Sequence, residues 1–166
     1  AQFSEIAEPE SDLAIFAIDP SAGIDQATID LWQSLDEYQV PRLVVVTHLE
    51  KLEADFDDAV MIATRVFDQM TTPFLVLHDE AGLPAALIGL ADLQIIDYST
   101  QPSVSRSSDV EHQTLVQEFR DEYLELVAAA GEKAFSAGLL FPAIPLWIER
   151  GIGIDIVEGF IKQLVE

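Results

Sequence analysis

At 166 residues the chain suits one domain, or one domain carrying a small insert, and is long enough to bury a core without covalent staples. It has no cysteine, which excludes disulfides and thiolate metal sites. Thirty acidic residues against eight basic ones give a formal net charge of −22; the three lysines and five arginines are dispersed, so the chain lacks the clustered cations that direct nucleic-acid binding needs.

No apolar run approaches the length of a membrane span, and the first residues, AQFSEIAEPESD, are acidic where a secretory signal is basic and then apolar. A soluble cytoplasmic protein with no membrane contact is expected. The first structured piece is DLAIFAID, residues 12 to 19, an apolar run that ends at Pro-Ser-Ala-Gly and fits a strand covered on both faces. Ala27 to Tyr38 places Ile29, Leu31, Trp32 and Leu35 at helical spacing, and Val40-Pro41 breaks that helix. Arg42 to Val46 is a second buried strand. Strand, helix and strand in so short a span imply a right-handed parallel crossover, the unit of doubly wound α/β folds.

Asp55 to Met70 is predicted as a second helix, with Ala54-Asp55 at its cap and Phe56, Val60, Ile62, Ala63, Val66 and Phe67 on one face. Residues 73 to 98 change character, with three short β-prone pieces separated by turn residues, as in a small antiparallel meander. Thr100 to Asp109 is Ser-rich with few large apolar residues and reads as a mobile loop. Val110 to Ala130 is a long helix whose inner face is expected to be Leu115, Val116, Phe119, Tyr123, Leu126 and Val127. Leu139 to Ile148 is a third buried strand, and Ile154 to Val165 a closing amphipathic helix. There is no internal repeat.

Residue chemistry narrows the functions. None of the lysines is preceded by glycine or followed by Ser or Thr, so the chain has no loop able to cradle a triphosphate. His48 with Glu50 and Glu53 makes a conceivable metal site at a strand end, but the spacing matches no strong signature, and a solvated loop is the simpler reading. His78 is expected on a hairpin tip and His112 near a helix start. Ser21, His48 and Asp19 would make a hydrolase triad only on paper, because no Gly-x-Ser-x-Gly elbow is present. Trp32 and Trp147 lie in apolar segments and read as core rather than stacking platforms.

One stretch carries a family likeness: DLAIFAIDPSAGIDQATIDLWQSLDEYQVPRLVVVTHLEKLEADFDDAV, residues 12 to 60. It resembles the G domain of translational GTPases, elongation factor G and its paralogues most closely, through Asp19, Gly23-Ile24, Thr28, Trp32, Asp36-Glu37-Tyr38 and Val40-Pro41-Arg42. The likeness continues more weakly along the chain. Residues 73 to 98, with Ile88-Gly89-Leu90-Ala91-Asp92-Leu93, resemble the inserted subdomain, and EFRDEYLELVAAAGEKAF and FPAIPLWIERGIGIDIVEGFIKQLV resemble the helix after it and the closing strand and helix.

The resemblance implies a three-layer α/β fold of the P-loop NTPase type, with a mainly parallel sheet and a small inserted antiparallel meander. Residues 1 to 166 would be a single partial G domain, with 73 to 98 as its inserted subdomain. It also implies that the family's Asn-Lys-x-Asp guanine motif falls at Thr47, His48 and Glu50, and its Ser-Ala motif at Trp147 and Ile148. All are degenerate: Glu50 is one methylene too long for the paired bonds to guanine, a loss worth a few kcal/mol, and the Trp147 indole is expected in the base pocket.

The family's phosphate-binding motifs precede the matched part, and the abrupt first strand implies a cut from a longer parent, with AQFSEIAEPE as what is left of a preceding element. The resulting expectation is a fragment of a GTP-binding translation factor. This segment would act as a scaffold or protein-contact module with no catalytic residue, metal or cofactor, and GTP and Mg2+ would belong only to a full-length parent. Its partners would be proteins, the ribosomal stalk among them, rather than nucleic acid. The alternative is part of a working GTPase, with an upstream P-loop, that hydrolyses GTP in translation elongation with relaxed base recognition.

Overall fold

The computed structural model describes residues 12–49, 55–100 and 102–165. The first crossover forms as the apolar pattern dictates. Strand β1 (Ala14–Ile18) is followed by helix α1 (Gln26–Asp36), which begins where the Asp25 carboxylate accepts the Thr28 N–H. Strand β2 (Arg42–Val46) then lies parallel to β1, in register from Ala14 opposite Arg42 to Ile18 opposite Val46. Helix α2 (Phe56–Val66) starts at the expected cap, Asp55, whose side chain accepts from the N–H groups of Asp57 and Asp58.

A two-residue strand β3 (Met70–Thr71) leads into β4 (Phe74–His78), β5 (Pro84–Gly89), β6 (Gln94–Asp97) and β7 (Val104–Ser107). Helix α3 (Val110–Ala130), strand β8 (Phe141–Pro145), a 3-10 turn (Ile148–Arg150) and helix α4 (Ile154–Val165) complete the chain. The strands form two sheets: a parallel one ordered β1-β2-β8-β3 and an antiparallel one ordered β4-β5-β6-β7.

Among the described residues, three apolar clusters hold the layers together. On one face of the parallel sheet, Phe16, Val44, Val46 and Ala143 meet Trp32 and Leu35 of α1 and Phe56, Ala59 and Ala63 of α2. On the other face, Leu43, Val45 and Ile144 meet Ile156 of α4 together with Leu87 and Tyr98 from the antiparallel sheet. The outer face of the antiparallel sheet packs Ala86, Ile88 and Ile95 against Val116 of α3. This is the expected three-layer α/β arrangement, and the antiparallel sheet shares a core with it.

Several expectations need correction. The segment from Thr100 to Asp109 is not simply a loop, because Val104–Ser107 pairs with β6 as a fourth strand; all four of its residues are exposed, so it carries none of the apolar alternation that marks a strand. The antiparallel sheet therefore reaches Ser107, beyond the meander read from residues 73 to 98. Both early helices stop short of the predicted ends, and β8 spans only Phe141–Pro145.

Ile62 is 39% exposed, since it lies one residue before buried Ala63 and so about 100° round the helix from the packed stripe. On α3 the packed face is narrower than its apolar composition suggests. Val116 is buried and Tyr123 packs beside it, but Leu115 is 70% and Phe119 48% exposed.

Candidate functional site

In a parallel α/β sheet the loops at the C-terminal ends of the strands are where ligands bind. Here β1, β2 and β8 end together, and their ladder continues past the strands: the Thr47 N–H donates to the Ile18 carbonyl at 2.8 Å and the Leu146 N–H to the Val46 carbonyl at 2.9 Å. This brings Asp19, Thr47, His48, Trp147 and Ile148 to one edge, although Trp147 and Thr47 are a hundred residues apart in sequence. Glu50, the remaining residue of the guanine-motif positions, lies outside the described residues, as do Lys51 and Glu53.

Each of these side chains has a definite place. The Thr47 hydroxyl turns back to donate to the Ile18 carbonyl at 3.2 Å. His48 adopts a left-handed conformation (φ 58°), which non-glycine residues take infrequently, and its Nε2 lies 3.8 Å from Asp19 Oδ2. Asp19 Oδ1 in turn accepts from the Ser21 N–H and hydroxyl. The carboxylate thus stands between serine and imidazole, whereas a hydrolytic triad needs the imidazole between the other two.

Trp147 is 9% exposed and packs in the cluster with Leu43, Tyr98, Ile152 and Ile156. Its N–H donates to the Ile152 carbonyl and its carbonyl accepts the Ile152 N–H, closing a tight turn. Gly151 supplies the left-handed residue of that turn (φ 72°), and a Cβ on Gly153 (φ 85°) would strike the Pro145 carbonyl. The Arg150 guanidinium covers the indole at 4.3 Å. The ring therefore faces the core and a cation, and Ile148 beside it is 65% exposed.

The other sequence candidates are structural. Trp32 is buried, stacks on Phe67 and donates to Asp68 at 2.8 Å. His78 ends β4 beside the turn that Asp79 closes by accepting from Ala81 and Leu83, and His112 bonds the Asp109 cap of α3. Among the described residues no group of three or more His, Cys, Asp or Glu side chains is placed to hold a metal, and no helix is long and apolar enough to cross a membrane.

A cavity of about 310 Å³ opens between the start of α2, strand β4 and α3, with Phe56, Leu75, Leu77, Val116 and Phe119 as walls and Asp57 and His78 at its rim. Loss of water, reinforced by the neighbouring charges of Asp55 and Asp58, pushes the Asp57 carboxyl above the usual range, and His78 opposes the shift. Nothing in the sequence pointed to this cavity, because its walls come from three separate elements.

No protein-family model matches the chain. A Mycobacterium tuberculosis protein named Elongation factor G-like protein is 28% identical over 173 residues, covering 89% of this chain and 24% of its own length. The mitochondrial Ribosome-releasing factor 2 of Anopheles gambiae is 30% identical over 82 residues, which is 49% of this chain and 11% of that protein. A solved structure from Thermus thermophilus superposes with a TM-score of 0.79 at 23% identity, over 92% of this chain and 26% of that one, a likeness that speaks for the fold alone. The chain is thus similar to an elongation factor G-like protein over nearly its whole length, and spans about a quarter of that relative.

Proposed function

We propose that this chain is a scaffold and protein-contact unit of an elongation factor G-like translation factor, and that it does not itself read a guanine base. The observation that carries this reading is the state of the edge where a base would sit. The Thr47 hydroxyl is engaged by a backbone carbonyl, and the Trp147 indole is packed in the core beneath Arg150. Among the described side chains at that edge, His48 and Ile148 face outward without a carboxylate, and the Asp19 carboxylate is bonded by Ser21 and approached by His48. GTP and Mg2+ belong, on this reading, to a longer protein with its own phosphate-binding loop.

The contact surface is α3 on the antiparallel sheet. Leu115 and Phe119 expose large apolar groups there, beside the acids Glu111, Glu118 and Glu122. Apolar surface rimmed by polar groups is the usual mark of a protein partner. The negative charge disfavours bare RNA, and a ribosomal stalk protein is the partner that the likeness to elongation factor G suggests.

Titration of a purified ribosomal stalk protein into this chain tests the assignment. Saturable binding is expected, weakened at least about tenfold by the double substitution Leu115→Ser and Phe119→Ser, because buried apolar anchors dominate such interfaces. Absence of binding by the unaltered chain, or equal binding by the variant, would overturn the choice of partner or of face respectively.

A further inference from the structure

We infer that the antiparallel sheet and the turn after β8 are interlocked, so that a load on that sheet is felt at the C-terminal edge of the parallel sheet, where Trp147 and Ile148 lie. Two clasps cross between them. From the antiparallel sheet, the Tyr98 hydroxyl donates to Asp155 Oδ1 at 2.7 Å in the first turn of α4. From the turn, Arg150 lies over Trp147 and donates to the Pro84 carbonyl of β5 at 3.4 Å. Each clasp thus has one end on either side.

Between the clasps lies a shared core. Leu87 and Tyr98 on one side pack with Trp147, Ile152 and Ile156 on the other. The turn itself is closed by the paired bonds of Trp147 and Ile152, and its opening is a local event that need not unfold the domain. A substitution that weakens a clasp shifts that opening, and the coupling free energy between opening on the two sides is the same read from either one. The coupling is intramolecular, so it holds whichever partner occupies α3; only its consequence for binding rests on the proposed contact face.

Amide hydrogen exchange on the whole chain reads the coupling without any ligand. Tyr98→Phe, made on the sheet side, is expected to speed exchange of the Trp147 and Ile152 amides by at least about fivefold. Arg150→Gln, made on the turn side, is expected to speed exchange of the Tyr98 amide, which is bonded to the Ala85 carbonyl, by a similar factor, while the Val44 and Val45 amides at the centre of β2 hold their rates. Faster exchange confined to the element that carries the substitution would overturn the interlock. So would an equal acceleration in β2, which would signal global destabilisation. If Tyr98→Phe does not fold, the response of the Tyr98 amide to Arg150→Gln decides alone.

Discussion

Arg42 enters β2 with its side chain wholly buried. Its guanidinium donates to the carbonyls of Val40, Trp32 and Gly138 and to Asp36, and lies 4.4 Å from the Trp32 ring centre and 4.5 Å from that of Phe141. Removing it takes a donor from three buried carbonyls, whereas Asp36, at 54% side-chain exposure, stays open to solvent. Arg42→Met is therefore expected to lower the unfolding free energy by about 3 kcal/mol in urea, and Asp36→Asn by less than about 1 kcal/mol. Equal losses would show that the ion pair, rather than the carbonyl bonds and ring contacts, matters. This role was not legible in the sequence, where arginine ranks as a surface residue and its partners Trp32, Phe141 and Gly138 are far apart. Trp147, set in an apolar run, was legible as a core residue, whereas the family likeness put its indole in the base pocket and the ring instead packs inward beneath Arg150, a cover the sequence did not show.

At the scale of elements, α3 and α4 were read to the residue, and the Asp55 cap of α2 was placed correctly although its far end was not. Capping is a local signal, so one sequence suffices to place it. Which side of a helix is buried depends on what packs against it. The antiparallel sheet beneath α3 covers only the stripe around Val116 and Tyr123, and leaves Leu115 and Phe119 to solvent. Strand β7 escaped notice for a related reason, since an edge strand open on both faces needs no apolar alternation. Val116→Ala is expected to cost about 2 kcal/mol in chemical unfolding, and Leu115→Ser or Phe119→Ser less than about 1 kcal/mol each. The reverse order would place the packed face on Leu115 and Phe119 rather than Val116, and would remove the exposed surface on which the contact proposal stands.

Across the whole molecule, the α/β class and the order of elements were legible because they follow from period and spacing, whereas the gathering of Asp19, Thr47 and Trp147 at one edge follows from strand order. The net charge of −22 also acts at this scale. Like charges on a compact surface repel one another and salt screens them, so the melting temperature is expected to rise as sodium chloride is added from low ionic strength. A flat or falling curve in calorimetry would mean that local ion pairs outweigh this repulsion.

The edge itself is tested most directly by isothermal titration of GTP, GDP and ATP into the longest natural chain that contains these residues. If Thr47 and Trp147 are turned inward as described, any nucleotide that binds through a phosphate loop elsewhere in such a chain is held with no preference for guanine over adenine, and this segment alone gives no heat. Saturable micromolar binding of GTP that excludes ATP would contradict the account.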